Sequence, residues 1–319
     1  MSILRIPGEA VRIVVWSFII WIVLSTIIPQ ALVKYTNIEI QTNKYTKNTY
    51  PYNSLTSPTP LPIQNSTVYF IVGHPDDEVM FFSPSIIEIS KVKYNNHVKL
   101  ICFSNGDSVD ESMGKIRSHE LYESARILGI SAEDVIVLED EFKDGMNVKW
   151  DSNLIKQALV ANVDMNDIET PKVFITFDES GVSNHPNHIS LYYGTINFFN
   201  TYFKKSDNTN KLNSIFVLKS LNFWEKYSFT LLNNVELFVD HLSKLLINNI
   251  LKLNANINIT FFSKKNFKSA SIFIYSDLNM LSVSYAAMSY GHFSQMVWFR
   301  YGWLILSRYL TYNHLIQLA

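Results

Sequence analysis

From residue 66 onward, short apolar runs alternate with amphipathic stretches. Residues 67–73, 98–104, 135–138, 172–177 and 214–219 are each a mostly apolar run bounded by turn residues, the signature of strands buried on both faces. Between the second and third, Lys115–Gly129 carries Ile116, Leu121, Ala125 and Leu128 at helical spacing, and Gly129 stands where the helix would stop. Strand and helix in alternation predict an α/β fold: a Rossmann-like, mostly parallel sheet flanked by helices.

The pattern differs at the N-terminus. Ile13 to Ile28 is sixteen residues without a charge, followed by Pro29 and an apolar extension to Val33. That run approaches the ~20 residues needed to cross a bilayer. Arg5 and Arg12 form a basic flank, as in a cleaved signal peptide, but no Ala-x-Ala-like site follows, and bulky Ile27, Ile28 and Leu32 stand where one would fall. Residues 1–34 therefore read as an uncleaved transmembrane anchor, with a signal peptide or a buried helix as the alternatives. Lys34, Lys44 and Lys47 beyond the span balance Arg5 and Arg12, so charge does not set its orientation. The sequons Asn65-Ser66-Thr67 and Asn258-Ile259-Thr260 would report that orientation, because only lumenal sites are glycosylated.

Residues 35–65 are rich in Asn, Thr, Pro and Ser and read as a tether, leaving 66–319 as the main domain. Within it, 231–268 lacks turn punctuation and reads as a possible insertion. His292–Leu310 gathers aromatic residues around Arg300 and Arg308, which suits a membrane interface or a C-terminal core helix.

Composition narrows the classes. Lys+Arg number 27 against 28 Asp+Glu, so no bulk charge draws nucleic acid. Apolar residues reach 47% and charged ones only 17%, a balance that leans toward a membrane. The single cysteine, Cys102, excludes an intrachain disulfide and a multi-cysteine zinc site; inside the run 98–104 it reads as a small core hydrophobe.

Two clusters carry the chemistry. His74-Pro75-Asp76-Asp77-Glu78 follows the first apolar run, and His185-Pro186-Asn187-His188 follows the fourth. Open α/β sheets bind ligands where strands end. His74, Asp77 and His188 supply two imidazoles and a carboxylate, the donor set of a catalytic zinc site with a position left for water; Fe(II) suits the same donors. Asp76 would then be free to take a proton from that water, and His185, as an imidazolium, would stabilise an oxyanion or protonate a leaving amine. These are the parts of a metal-assisted amide hydrolysis. The same donors also serve Fe(II) oxygenases, but those use an all-β barrel, which the strand–helix alternation disfavours.

The sequence resembles the PIG-L, or N-acetylglucosaminyl-phosphatidylinositol de-N-acetylase, family of metal-dependent sugar deacetylases. The likeness runs from about Val68 to the C-terminus. It rests chiefly on Gly73–Pro84 and Thr176–His188, with Ser104–Asp107, Met113–Leu121, Trp298–Arg300 and Ser307–Tyr309 in support. The resemblance implies hydrolysis of the N-acetyl group of N-acetylglucosaminyl-phosphatidylinositol, an early step of GPI-anchor synthesis. It implies a divalent metal, zinc or Fe(II), and an endoplasmic-reticulum membrane location with the domain facing the cytosol. His74, Asp77 and His188 match the family's metal ligands, Asp76 its general base and His185 its assisting histidine. Arg117 matches a position that holds the inositol phosphate, with a salt-bridged helix arginine as the alternative; Asp144 is expected to reach a sugar or inositol hydroxyl or, equally, to be a turn acid. Glu78 is expected to support the site from behind or to be an acid of a helix N-terminus rather than a ligand, and His119 and His292 to be ordinary packing or surface histidines. Another N-acetyl sugar conjugate as substrate, or an inactive metal-binding scaffold, is the alternative function.

Overall fold

The five apolar runs become five adjacent parallel strands. The computed structural model describes residues 8–35, 61–107, 111–138, 141–204, 213–244 and 271–318. These form a seven-stranded sheet from β1 (Thr67–Val72), β2 (His97–Cys102), β3 (Val135–Val137), β4 (Lys172–Phe177), β5 (Ser214–Leu218), β6 (Ser271–Tyr275) and β7 (Tyr312–Gln317), in the order β3-β2-β1-β4-β5-β7-β6. β7 runs antiparallel to both β5 and β6; the other pairs are parallel. Every residue of β1 and β4 is buried, which explains their unbroken apolar character. The order reverses between β1 and β4, so the chain leaves these two neighbours in opposite directions and opens a crevice at their carboxyl ends.

The helices, in chain order, are α1 (Gly8–Ile22), α2 (Ile28–Tyr35), α3 (Asp77–Met80), α4 (Ser83–Ile89), α5 (Gly114–Leu128), α6 (Ser152–Asn162), α7 (Pro186–Tyr202), α8 (Phe223–Lys226), α9 (Leu231–Lys244), α10 (Leu278–Ala286) and α11 (Trp298–Leu306). α5 is the helix the periodicity predicts. Gly129 ends it at φ 96°, with its N–H on the Ala125 and Arg126 carbonyls. The tether expected at 35–65 lies outside the described residues except at its ends. Of the possible insertion, 231–244 is α9 and the remainder lies outside them.

α1 and α2 are joined by a π-helical turn, Val23–Ile27. Within this helix Gly8–Ala31 is long and apolar enough to cross a membrane, and only 22% of its most apolar window is buried, unlike a core helix. It is nevertheless packed against the domain. Ser17 Oγ lies 2.7 Å from Thr230 Oγ1, and Asn234 Nδ2 donates to the Ser17 carbonyl at 2.8 Å. The π turn leaves one carbonyl to be satisfied from outside the helix. Its bonds run five residues back, Ile28 N–H to the Val23 carbonyl, so the next carbonyl, Leu24, would need the N–H that Pro29 lacks. His241 Nε2 donates to it instead, at 2.8 Å.

Candidate metal centre

Gly73 and His74 leave β1 in a tight turn whose backbone N–H groups both donate to Asp77 Oδ2, each at 2.9 Å. From the other side of the crevice, His188 arrives on the first turn of α7 after a strained approach. Gly181, Val182, Ser183 and Asn184 all have positive φ (55°, 46°, 74° and 61°), costly for a β-branched valine and paid for by the surrounding packing. The His188 ring stacks on Phe177 at 3.8 Å between centroids. Gly73 permits the close approach: a Cβ there would stand 3.0 Å from His188 Cδ2 and 3.3 Å from Asp77 Oδ2.

The three expected ligand atoms converge. Asp77 Oδ2 is 3.1 Å from His188 Nε2 and 3.5 Å from His74 Nδ1, and the two imidazole nitrogens are 3.3 Å apart. Donors bound at roughly 2.0–2.1 Å around a tetrahedral ion stand about 3.3–3.4 Å from one another. The outer ring nitrogens fix the tautomers. His188 Nδ1 donates to the Gly181 carbonyl at 3.1 Å, while His74 Nε2 lies 3.0 Å from Asp144 Oδ1 and 3.1 Å from Asn187 Oδ1. Each ring therefore turns its inner lone pair toward the carboxylate oxygen, and three acceptors crowded together call for a cation among them. Without an ion, a proton meets the same demand: burial alone would lower the His74 pKa, but bonds to Asp144 and Asp77 raise it to about 10, and a bound cation would take that proton's place. Burial would raise Asp77, yet His188 and His74 hold it well below the usual carboxylate range. The residues fit a divalent metal.

His185 lies at the edge of this triangle, its ring centroid 4.8 Å from that of His74 and 4.7 Å from that of His188. A three-histidine set that includes it spreads to 4.8 Å, too wide for one small ion, so Asp77 is the better third donor. His185 Nδ1 accepts the Asn187 N–H at 3.3 Å, which leaves the proton on Nε2. Burial first, and then the neighbouring His188 and His74, lower its pKa to about 4. The imidazolium expected from sequence is thus replaced by a neutral ring with an Nε2–H donor.

Asp76 has φ 129° and ψ −22°, an unusual backbone that turns its side chain away from that of Asp77. Its N–H donates to Glu78 Oε2 at 3.1 Å. Its Oδ2 accepts from Arg300 Nη2 at 2.5 Å, with Arg117 Nη2 3.6 Å away. Arg117 also bonds the Gly106 carbonyl and, at 2.9 Å, the Pro75 carbonyl, so it ties together the loops after β1 and β2. Gly106, at φ 71°, has no room for a Cβ beside that guanidinium. Asp144, expected to meet a substrate hydroxyl, is engaged with His74.

Three supporting roles, those of Asn187, Arg300 and His292, were not visible in the sequence. Asn187 orients His74 and also accepts the Gly145 N–H at 3.1 Å, pinning the 143–150 loop over the crevice; its place between two histidines was the only hint. Arg300 holds Asp76. His292, expected to be ordinary, donates from Nε2 to Glu78 Oε1 at 2.6 Å, where the Ser124 hydroxyl also bonds at 2.5 Å. Glu78 and His292 are both fully buried, and Glu78 raises the His292 pKa against the opposing effect of burial. Glu78 supports the site from behind, as expected; His119 is exposed and Cys102 buried, also as expected.

A Rossmann-like sheet with two histidines and a carboxylate converging at its switch point, beside an aspartate and a third histidine, defines a metal-dependent hydrolase. Residues 69–199 match the family described as PIG-L: GlcNAc-PI de-N-acetylase. Over 248 residues the chain is 32% identical to a probable N-acetylglucosaminyl-phosphatidylinositol de-N-acetylase of Schizosaccharomyces pombe, covering 77% of this chain and 85% of that protein. It is 34% identical over 272 residues to a similarly named Dictyostelium discoideum protein (79% and 93% covered), and 31% identical over 255 residues to the Saccharomyces cerevisiae enzyme (77% and 79% covered). The chain belongs to the N-acetylglucosaminyl-phosphatidylinositol de-N-acetylase family and is an N-deacetylase, a hydrolase of the amide carbon–nitrogen bond.

Proposed function

We propose that this protein removes the N-acetyl group of N-acetylglucosaminyl-phosphatidylinositol, giving acetate and glucosaminyl-phosphatidylinositol, an early step of GPI-anchor biosynthesis. The observation that carries the chemistry is the triangle of His74 Nδ1, Asp77 Oδ2 and His188 Nε2 at 3.1–3.5 Å. The substrate is supported by the names of the relatives and by the apolar helix, which suits a lipid-borne sugar. Residues 1–34 serve as a single-pass anchor in the endoplasmic-reticulum membrane, 35–65 as a tether, and 66–319 as the catalytic domain on the cytosolic side.

His74, Asp77 and His188 would hold the ion, with zinc suited to the donor set and Fe(II) able to use the same atoms. When bound, the ion supplies Lewis acidity: it acidifies water and polarises the acetyl carbonyl. Asp76 accepts the proton of the attacking water while Arg300 fixes its other oxygen. The His185 Nε2–H donates to the oxygen that gains charge in the tetrahedral intermediate. Asp76 then returns its proton to the sugar nitrogen as the carbon–nitrogen bond breaks, so acetate leaves and the amine is formed. Arg117, partly exposed beside Asp76, meets the headgroup phosphate, and Asp144 steadies His74 while bordering the sugar.

The test is acetate release from N-acetylglucosaminyl-phosphatidylinositol by the detergent-purified chain, before and after chelation and metal re-addition. Chelator-sensitive release restored by zinc or iron is expected. Folded protein that releases no acetate with any divalent ion would refute the reading.

A further inference from the structure

α1 and α9 run side by side. Contacts along this side extend from Ser17 against Thr230, just before α9, to the Leu24 carbonyl of the π turn against His241, and the seven steps from Ser17 to Leu24 span about 10 Å at roughly 1.5 Å per residue. Helices in contact over that length share one layer of solvent. α9 cannot stand in bulk water while α1 crosses hydrocarbon beside it. The outward side of α9 matches that setting: Leu231, Val235, Phe238 and Leu242 form one exposed apolar stripe at helical spacing, while Glu236 turns inward to Arg308.

The apolar surface continues past α9. Phe18 of α1 stacks on Phe229 with centroids 5.9 Å apart, and the Phe229 N–H donates at 3.2 Å to the Leu306 carbonyl at the end of α11. α11 contains no carboxylate and leaves Trp298 85% exposed; on α8, Trp224 is 82% exposed. A water-facing monomer seldom presents an apolar surface of this extent, whereas indoles beside arginine and lysine are typical of the layer where bilayer meets water. Arg300, on the same α11, bonds Asp76.

We propose that α8, α9 and α11 form a second membrane contact, through which the catalytic domain seats on the leaflet beside α1 and turns the Asp76 side of its site to the headgroup layer. The inference rests on the membrane reading of α1 made above. It assigns the N-terminal helix a part in orientation as well as attachment: the helix fixes which side of the domain faces the lipid.

The test uses the full chain, with buried Cys102 replaced by alanine, in phosphatidylcholine vesicles containing phosphatidylinositol. Spin labels are placed singly through Trp298→Cys, Phe238→Cys, Ile20→Cys on α1, and Ile168→Cys in the loop entering β4 at the opposite end of the sheet. Collision with oxygen, which concentrates in lipid, is compared with collision with a water-soluble nickel chelate. Labels at 298 and 238 should favour oxygen several-fold over the label at 168. If position 20 favours oxygen while 298 and 238 match 168, the domain does not touch the bilayer and the inference falls, leaving the anchor intact. Aqueous exposure at 20 as well overturns the anchor and the inference together. Labels at 298 and 238 shielded from both reagents would mean that protein, such as a second copy, covers the face, and would overturn it too.

Discussion

Asp76 and Asp77 are adjacent, yet their backbones commit them to different tasks. Asp77 turns its Oδ2 back onto two N–H groups of its own loop and toward both histidines, whereas Asp76, at φ 129°, points to Arg300. Asp76→Asn keeps the shape and a hydrogen bond to Arg300 but removes the carboxylate proposed as the base. It should retain bound metal by elemental analysis while turnover falls by roughly 10²–10⁴-fold, the usual worth of a positioned general base. Loss of metal together with activity would mean that Asp76 is a ligand, and the division between the two aspartates would be wrong. The residues that converge were legible in the sequence because each cluster is local: His74 and Asp77 stand three positions apart, as do His185 and His188. The supports were not. Glu78 and His292 lie 214 positions apart and Asp76 and Arg300 lie 224 apart, so no spacing rule connects them before the chain folds. The charge of His185 was misjudged for a related reason. Burial and the nearby rings set it, and neither is visible in His-Pro-Asn-His.

At the scale of elements, the parallel strands were legible because both faces of each are covered, which demands uninterrupted apolar sequence. β7 hid because its pattern is broken by Asn313 and His314. Asn313 is tolerated inside the sheet because it accepts from the Ser85 hydroxyl at 2.7 Å and donates to the Phe81 carbonyl at 2.9 Å, a satisfaction that only tertiary structure supplies. α9 hid in an Asn-rich stretch for a similar reason: Asn233 and Asn234 face partners on the C-terminal segment and on α1. A buried ion pair locks that helix in place. Arg308, 2% exposed, donates to Asn233 Oδ1 at 2.7 Å and Glu236 Oε2 at 2.5 Å and lies over the Tyr312 ring. Removing one partner strands the other charge inside the protein, so Glu236→Ala should destabilise by about 3–5 kcal/mol. Glu236→Gln, which keeps the hydrogen bonds, should cost less. Denaturant unfolding of both variants in one detergent checks the order, and equal losses would mean that the hydrogen bonds contribute little beyond the charge.

At the scale of the whole molecule, the N-terminal helix is a packed part of the fold as well as a length of apolar chain. Its inner face carries Trp21, fully buried, and Leu24, nearly so, together with the bonds from Ser17 to Thr230, from Leu24 to His241 and from Thr26 to the Leu278 N–H. A tether would let the domain go unharmed when cut; a packed helix would not. Deleting residues 1–60 should therefore lower the melting temperature in detergent by on the order of 10 °C, from two buried side chains worth roughly 1.5–3 kcal/mol each and about 2–4 °C per kcal/mol. An unchanged melting temperature would show that α1 only attaches the domain. The same deletion separates attachment from orientation. If the shortened chain still sediments with phosphatidylcholine vesicles, the stripe on α9 and the indoles of α8 and α11 suffice to hold the domain on lipid. Turnover on bilayer-borne substrate would then report how much of the catalytic advantage comes from the helix fixing which side faces the membrane.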